Sequence, residues 1–290
     1  DRPYARLPQL LVNYTKGDVQ GLEFEFNNDT AYFKKNIRDF ENQAEPNGTR
    51  IFNEMALRYN LKQPWGFVVP EVSVRSLNNF YDQDTVENAN FRSNSEDKSV
   101  VVPQFTLDTG LTFEREGKYL QTLSPRAFYA YAPHQNQDDY PNFDSTAASL
   151  NYDQLFNPKR FYGHDRLEDN NFLSLGLSYS LFGTTGLEKL RTSIGQSFYF
   201  DDRKVTLNNS QNDPFNTERQ TGPVISIASQ LSQNCSVNAN SMWMSNGDNA
   251  QRDFQVYYTG NKGNLYNLGY FNRSNLLDRQ EKYDQVTASF

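Results

Sequence analysis

The sequence contains no apolar run long enough to form a membrane-spanning helix, and it has little cysteine or histidine. A spanning helix needs about 20 consecutive apolar residues, whereas the mean hydropathy of this chain is −0.80. The single cysteine, Cys235, excludes an internal disulfide and a cysteine-rich metal site. The two histidines, His134 and His164, lie roughly thirty residues apart and give only a weak metal signal. We therefore expect no spanning helix, no metal and no cofactor.

An excess of positive charge, a leader peptide and catalytic signatures are also missing. The formal net charge of −7 disfavours nucleic acid as a partner, because a phosphate backbone requires a basic surface. The chain starts at Asp1 without a basic segment followed by an apolar one, which fits an exported mature chain or an internal fragment. No Gly-x-Ser-x-Gly elbow, His-Glu-x-x-His pair or phosphate loop occurs, so we expect no enzyme.

Apolar residues occupy every second position in many segments. The segment from Ser99 to Arg115 shows this most clearly. Its apolar face carries Val101, Phe105, Leu107, Leu111 and Phe113. Its polar face carries Gln104, Thr106, Asp108, Thr112 and Glu114. A period of two residues predicts β-strands with one apolar and one wet side.

Short turns and long polar loops alternate between thirteen predicted strands. This alternation is typical of an outer-membrane β-barrel, with tight turns at the periplasmic rim and long loops outside. The aromatic content of 14% suits the aromatic girdles of such a barrel. The predicted strands are Gln9–Tyr14, Leu22–Phe33, Thr49–Asn60, Phe67–Tyr81, Ser99–Arg115, Tyr119–Pro133, Phe172–Phe182, Leu187–Phe200, Val224–Leu231, Cys235–Trp243, Phe254–Thr259, Asn264–Phe271 and Gln285–Phe290.

Charged residues on the polar side of these strands are the most informative candidates for function. A charge on the lipid side near the midplane costs about 2 to 4 kcal/mol, so these residues must face water or a plug. Two interpretations stay open: a generic hydrated lumen, or a surface that contacts a polar substrate or a plug protein. The candidates are Arg50, Glu54, Arg58, Asp108, Glu114, Arg126 and Arg191.

Acidic residues cluster in the loops, where solvation is the simplest explanation. A second hypothesis is that some of them coordinate divalent cations near lipid phosphates, because carboxylate oxygens are suitable ligands. The residues concerned are Asp138, Asp139, Asp144 and Asp153. The long loops that start at His134 and Asp201 either fold inward and close the pore or stand outside.

Several motifs, in a consistent order, resemble the lipopolysaccharide-assembly outer-membrane protein family (LptD/OstA). The segment Gln121–Tyr129, with the sequence QTLSPRAFY, resembles a strand motif of that family. So do PNFDS at 141–145, QLF at 154–156, RFYG at 160–163, DRL at 165–167 and IGQSFYF at 194–200. Near the start, PYARLPQ at 3–9 resembles the family's entry into the middle of its barrel. The family-motif residues in the loop are Pro141, Asn142, Asp144, Arg160, Gly163, Asp165 and Arg166.

This resemblance implies an all-β fold: about twelve or thirteen strands of a transmembrane antiparallel barrel that has about 26 strands in total. Residues 1–290 would then form a segment of one barrel domain, without the family's periplasmic jelly-roll and without the barrel's end strands. The family's paired cysteines would also lie elsewhere, so no disulfide is assigned to Cys235.

The implied function is assembly of lipopolysaccharide into the outer leaflet of the outer membrane of a Gram-negative bacterium. The implied partners are lipopolysaccharide, an LptE-like plug lipoprotein, periplasmic lipopolysaccharide bridge proteins and outer membrane lipids. The lipid would pass through the plugged lumen and leave by a lateral gate. Two alternatives remain: an outer-membrane porin of about twelve strands, and a soluble β-protein such as a carbohydrate-binding sandwich.

Overall fold

The protein forms one large antiparallel sheet. The structure, a computed structural model, describes residues 3–35, 47–82, 97–207, 214–244, 249–260, 263–274 and 282–290. Residues 83–96, in the polar loop between the predicted strands Phe67–Tyr81 and Ser99–Arg115, lie outside the described residues. So do residues 208–213 of the loop from Asp201. No helix in the described ranges is long and apolar enough to cross a membrane.

Seventeen strands and two short helices make up the described structure. The strands are β1 Ala5–Gly17, β2 Leu22–Lys34, β3 Gly48–Tyr59, β4 Leu61–Gln63, β5 Gly66–Tyr81, β6 Lys98–Leu111, β7 Phe113–Arg115, β8 Leu120–Ala132, β9 Thr146–Ala147, β10 Phe161–Tyr162, β11 Asn170–Phe182, β12 Glu188–Tyr199, β13 Val224–Ser232, β14 Cys235–Trp243, β15 Asn249–Thr259, β16 Leu265–Ser274 and β17 Lys282–Ser289. The helices are a 3-10 helix, Asp153–Phe156, and a single helical turn, α1, Pro214–Thr217.

The thirteen long strands form one path in the order β1-β2-β3-β5-β6-β8-β11-β12-β13-β14-β15-β16-β17, with β4 and β7 on its margin. Every pair along this path is antiparallel. All thirteen predicted strands are therefore confirmed as elements of an all-β sheet. The sheet is the kind of structure that forms part of a β-barrel.

Two predicted strands differ in detail from the observed ones. The segment Ser99–Arg115 is divided at Thr112, whose N–H bonds to the carbonyl of Trp65 in the neighbouring turn. Within the predicted strand Phe67–Tyr81, the proline at position 70 predicts either a bulge or a locally unpaired edge. The β5–β6 register runs through Pro70 without a shift. On its other side, Pro70 lies between the last β3 pair, Arg58 with Glu71, and the β4 pair, Leu61 with Val68. The second expectation is correct, because proline cannot donate to a ladder.

The sheet has an apolar outer face and a mostly polar inner face. Met55, Val74 and Ile194 on the outer face remain exposed. Glu54, Arg75 and Ser193, their chain neighbours, point inward and are buried. This is the two-residue alternation that the sequence predicts.

The chain between β8 and β11, residues 133–169, folds onto the inner face, and we call it the inserted loop. It is the loop predicted from His134, and of its two possible positions it takes the inward one. Tyr140 and Leu167 of this loop share a buried cluster with Phe52, Leu77, Val100, Val102 and Ala132. Leu155 and Phe156 share another with Phe128, Phe172, Val224 and Met242. Because one loop packs against strands from β3 to β14, the sheet curves around it.

Candidate functional site

Arg50 of β3 lies at the centre of a buried ionic cluster that fixes the inserted loop. Its Nη1 lies 2.6 Å from Asp144 Oδ1 and 2.7 Å from Asp165 Oδ1, and its Nη2 lies 3.3 Å from Asp29 Oδ2. The guanidinium also covers the ring of Phe33, with 4.6 Å from Cζ to the centroid. Since Arg50 has no exposed surface, removing its guanidinium would leave these buried carboxylates without their shared counter-charge.

The second oxygen of Asp165 organises the backbone of the loop. Asp165 Oδ2 accepts the N–H groups of Phe143, Asp144 and Ser145 at 3.0, 2.8 and 2.9 Å. The N–H of Asp165 donates in return to Ser145 Oγ at 3.0 Å. Asp165 therefore couples the fold of the loop to the charge of Arg50.

Gly163 and Asn142 allow this turn to close. Gly163 has a φ of 89°, a conformation that side-chain-bearing residues rarely adopt. A Cβ at Gly163 would stand 2.5 Å from Ser145 Oγ. Asn142 Oδ1 accepts the N–H of Ser145 at 2.9 Å, and its Nδ2 donates to the carbonyl of Ser145 at 3.1 Å. Both residues thus hold the loop segment that presents Asp144 to Arg50.

Arg166 ties the inserted loop to the next long loop. It is buried, and among the described residues its guanidinium donates to the backbone carbonyls of Pro141, Asp165, Tyr140, Thr206 and Leu207. Burial lowers the pKa of Arg166, against the opposing effect of the nearby Asp165 carboxylate. Its hydrogen bonds bring residues 140–141 and 206–207 together at one guanidinium.

A second buried ion pair lies on the neighbouring strand β5, where Arg75 faces Glu54 of β3 in the register. Arg75 Nη1 of β5 lies 2.5 Å from Glu168 Oε2, and both side chains are almost completely buried. Glu168 Oε1 accepts the N–H groups of Arg160 and Phe161. Arg160 Nη2 in turn lies 2.6 Å from Asp169 Oδ1. The pair Lys159 and Glu54, at 3.0 Å, lies at the edge of the same region.

His164 packs beside Arg50 and is a half-buried titratable group of the loop. Its ring stacks on Phe52 with centroids 4.0 Å apart, and Nε2 lies 3.9 Å from Asp29 Oδ2. Burial and the nearby charge of Arg50 lower the pKa of His164 to about 4. The imidazole is therefore neutral at neutral pH and acts as an aromatic packing group.

Two glycines form the seat of the 3-10 helix. A Cβ at Gly176 of β11 would lie 2.5 Å from Phe156 Cζ and 2.7 Å from Tyr152 Oη. A Cβ at Gly195 of β12 would lie 2.7 Å from Leu155 Cδ1. These two glycines face each other in the β11–β12 register. The absence of side chains there lets the apolar helix reach the sheet backbone.

The remaining predicted residues do not join this cluster. Arg58 pairs with Glu23, Glu25 and Glu71 near the short turns. Arg126 pairs with Asp108 at 2.6 Å and lies 4.3 Å from the ring centroid of Phe156. Arg191 is exposed and pairs with Glu188. Glu114 is exposed in β7.

The cation hypothesis receives no geometric support from the described ranges. Asp144 is already paired with Arg50 and, at 3.2 Å, with Arg6. Asp153 lies in the 3-10 helix. Within the part of the chain that the structure describes, no three His, Cys, Asp or Glu side chains are grouped so as to hold a metal ion.

The sequence reasoning missed Asp29, Arg75, Glu168 and Asp169. Arg75 alternates in phase with the polar positions of its strand, so the two-residue period was sufficient to find it. Glu168 and Asp169 gave no comparable signal, because their partners Arg75 and Arg160 are identified only by the folded loop.

Comparison with known proteins agrees with the motif resemblance. The family model described as "LPS transport system D" (LptD) matches residues 1–290. The LPS-assembly protein LptD of Acinetobacter baumannii is 68% identical over the whole chain, and that of Acinetobacter baylyi is 66% identical. LptD of Psychrobacter cryohalolentis is 33% identical over the whole chain. The chain spans 35% of the two Acinetobacter proteins and 29% of the Psychrobacter protein.

Proposed function

This chain belongs to the LptD family of lipopolysaccharide transport proteins, and from that membership we propose that it is part of an outer-membrane translocon. The translocon assembles lipopolysaccharide into the outer leaflet of the outer membrane of a Gram-negative bacterium. It does so by transport and not by covalent chemistry. Residues 1–290 contribute a segment of a single barrel domain.

The observation that carries this proposal is a curved sheet with an apolar outside, a polar inside and a loop fixed within it. A lipid with a charged sugar head crosses hydrocarbon only at high cost. A polar inner face can accommodate that head, while the apolar outer face meets the acyl chains of the membrane. Such work requires no nucleophile or metal.

The inserted loop serves in this proposal as a seal on the lumen. Arg50 and Arg75 hold it to the sheet at one side, and the glycine seat holds it at the other. Buried ion pairs contribute little net stability compared with apolar packing, but they specify one arrangement. We infer that they keep the loop in place when the rest of the lumen changes occupancy.

The plug lipoprotein would contact the inner face that the inserted loop leaves uncovered. The charged residues nearest the short turns, Arg58, Asp108, Arg126 and Arg191, are the candidates, since they lie toward the proposed periplasmic rim. Bridge proteins would deliver lipopolysaccharide from that same rim, and the lipid would leave by a lateral gate.

Depletion of the protein in its host tests the function. We expect newly made lipopolysaccharide to disappear from the cell surface and to return with the wild-type gene. In the same cells, charge reversal by Arg126→Glu or by Arg191→Glu should reduce copurification of a plug lipoprotein, because both residues are proposed to contact it. Unchanged surface lipopolysaccharide after depletion would refute the proposal.

A porin is the alternative function, and the inserted loop argues against it. A solute channel needs an open lumen, whereas the loop contacts strands from β3 to β14. Single-channel recording in a planar bilayer separates the two functions. A porin would give steady conductance from wild-type protein, and the proposed translocon would remain closed.

A further inference from the structure

The outer face contains an apolar groove across strands β2 to β8. Its volume is about 420 Å³. The outward side chains that line it include Phe24, Met55, Leu57, Val72, Val74 and Phe105. The lining side chains that project outward are all apolar or aromatic, so a matching occupant is a hydrocarbon chain.

The groove ends at an unpaired strand edge. Strand β6 pairs with β5 along its whole length, from Lys98 to Leu111. Its ladder with β8 covers only Phe105 to Gly110. Strand β8 ends at Ala132, and from Pro133 the chain enters the inserted loop. In the described structure, Lys98–Gln104 therefore have a ladder partner on β5 alone.

This open edge requires a polar environment. Seven extended residues cover about 23 Å, and their outward N–H and C=O groups need hydrogen-bond partners. An open sheet edge does not occur against hydrocarbon, because unsatisfied backbone groups cost several kcal/mol each. The edge of β6 must therefore lie at the level of lipid head groups, on the side of the long loops, while the apolar groove continues below it toward the middle of the strands.

We propose that the groove holds an acyl chain of lipopolysaccharide, with the sugar head at the open edge of β6. A polar edge directly above an apolar groove matches an amphiphile. Sugar hydroxyls both donate and accept, so they can satisfy the outward C=O and N–H groups of Lys98–Gln104, apart from Pro103, which has no N–H. The long-loop side is the outer leaflet in the proposed orientation. This inference rests on the proposed function and places its substrate on the barrel's outer wall.

Photo-crosslinking in the whole protein tests the site. The photoreactive residue p-benzoylphenylalanine is placed at Val72 in the groove or at Ile194 on β12. Val72 and Ile194 are 53% and 46% exposed and lie equally far from the starts of β5 and β12. After irradiation in cells and purification in detergent, adducts are identified by mass. We expect the lipopolysaccharide adduct at Val72 to exceed that at Ile194 by about tenfold, the equivalent of about 1.4 kcal/mol.

Filling the groove provides the second arm. Val74→Trp should reduce the adduct at Val72 by about tenfold, while Leu177→Trp, on the outer face of β11, should leave it unchanged. Equal adduct yields at Val72 and Ile194, or adducts of phospholipid alone, would overturn the site. The proposed function would still hold in that case, provided that surface lipopolysaccharide is normal in wild-type cells and is lost when the protein is depleted. Surface lipopolysaccharide that survives depletion overturns the proposed function instead.

Discussion

The two halves of the inner face follow the same strand pattern but differ in chemistry. From β2 to β6 the inner face carries buried, paired charges such as Asp29, Arg50 and Arg75. From β13 to β16 it carries half-buried neutral groups such as Ala228 and Asn238. Among the described residues from 224 onward, no charged side chain is buried. Buried charges thus occur where the inserted loop provides ion-pair partners. The charged half of the inner face is therefore the half that binds this loop.

The largest expected effect comes from removing the central charge of the covered half. Arg50→Ala leaves Asp29, Asp144 and Asp165 together in a buried site, which costs about 3 to 5 kcal/mol. Native-state hydrogen exchange of the amides at 143–145, which donate to Asp165, should show this as easier local opening. The control is Arg191→Ala, because the Arg191 side chain on β12 is exposed. Equal exchange in both variants would mean that the loop is held by packing alone.

The glycine seat provides a second way to release the loop, without any change of charge. Gly176→Ala places a Cβ against Phe156 and Tyr152, and overpacking of this kind costs about 1 to 3 kcal/mol. Limited proteolysis within residues 146–160 should become faster. Gly117→Ala is the matched control, because its Cβ would have only a distant carbonyl, at 3.9 Å, as a neighbour. An unchanged proteolysis rate in the Gly176 variant would show that the glycine seat does not hold the inserted loop in place.

His164 makes the covered half sensitive to pH. Its pKa is lowered to about 4 in the folded loop, against about 6.5 when unfolded. The unfolded state therefore binds the proton more readily, and stability decreases as pH falls from about 6.5 to 4. Because the side chain is 34% exposed, solvent screening reduces the loss to roughly 1 to 2 kcal/mol.

Hydrogen exchange of the amides at 143–145 at pH 7 and pH 4.5 measures this dependence. The rates are corrected for intrinsic exchange. His164→Gln should remove most of the pH dependence of these rates, while His134→Gln, at the start of the same loop, should leave that dependence unchanged. A slope that persists without His164 would assign the effect to the carboxylates of the cluster.

The smallest effect is expected at exposed Arg191. Its ion-pair partner, Glu188, lies three residues earlier in the same strand. Exposed ion pairs contribute about 0 to 1 kcal/mol to stability. Thermal denaturation of Arg191→Ala should differ little from that of the wild type. A large loss of thermal stability would show that Arg191 makes a further stabilising contact on the inner face, in addition to its ion pair with Glu188.

Local pattern was sufficient for the strands but not for the loop. Alternation over Leu22–Phe33 or Phe172–Phe182 depends on neighbouring residues, so a single sequence reveals it. Arg50 was selected as an inward charge on the same basis. Its partner Asp165 is 115 residues away, and no local period links two such positions. The motif resemblance marked Asp144, Asp165 and Arg166, but it did not show what they contact.

The sequence by itself determined the strands, their two faces and the family, because these follow from side-chain alternation and from motifs read in order. Only the tertiary structure decided that the long loop lies inside, that Arg50 and Arg75 neutralise its carboxylates, and that β6 keeps an open edge. Those outcomes depend on which distant groups meet when the sheet curves. Burial then requires each charge to find a partner.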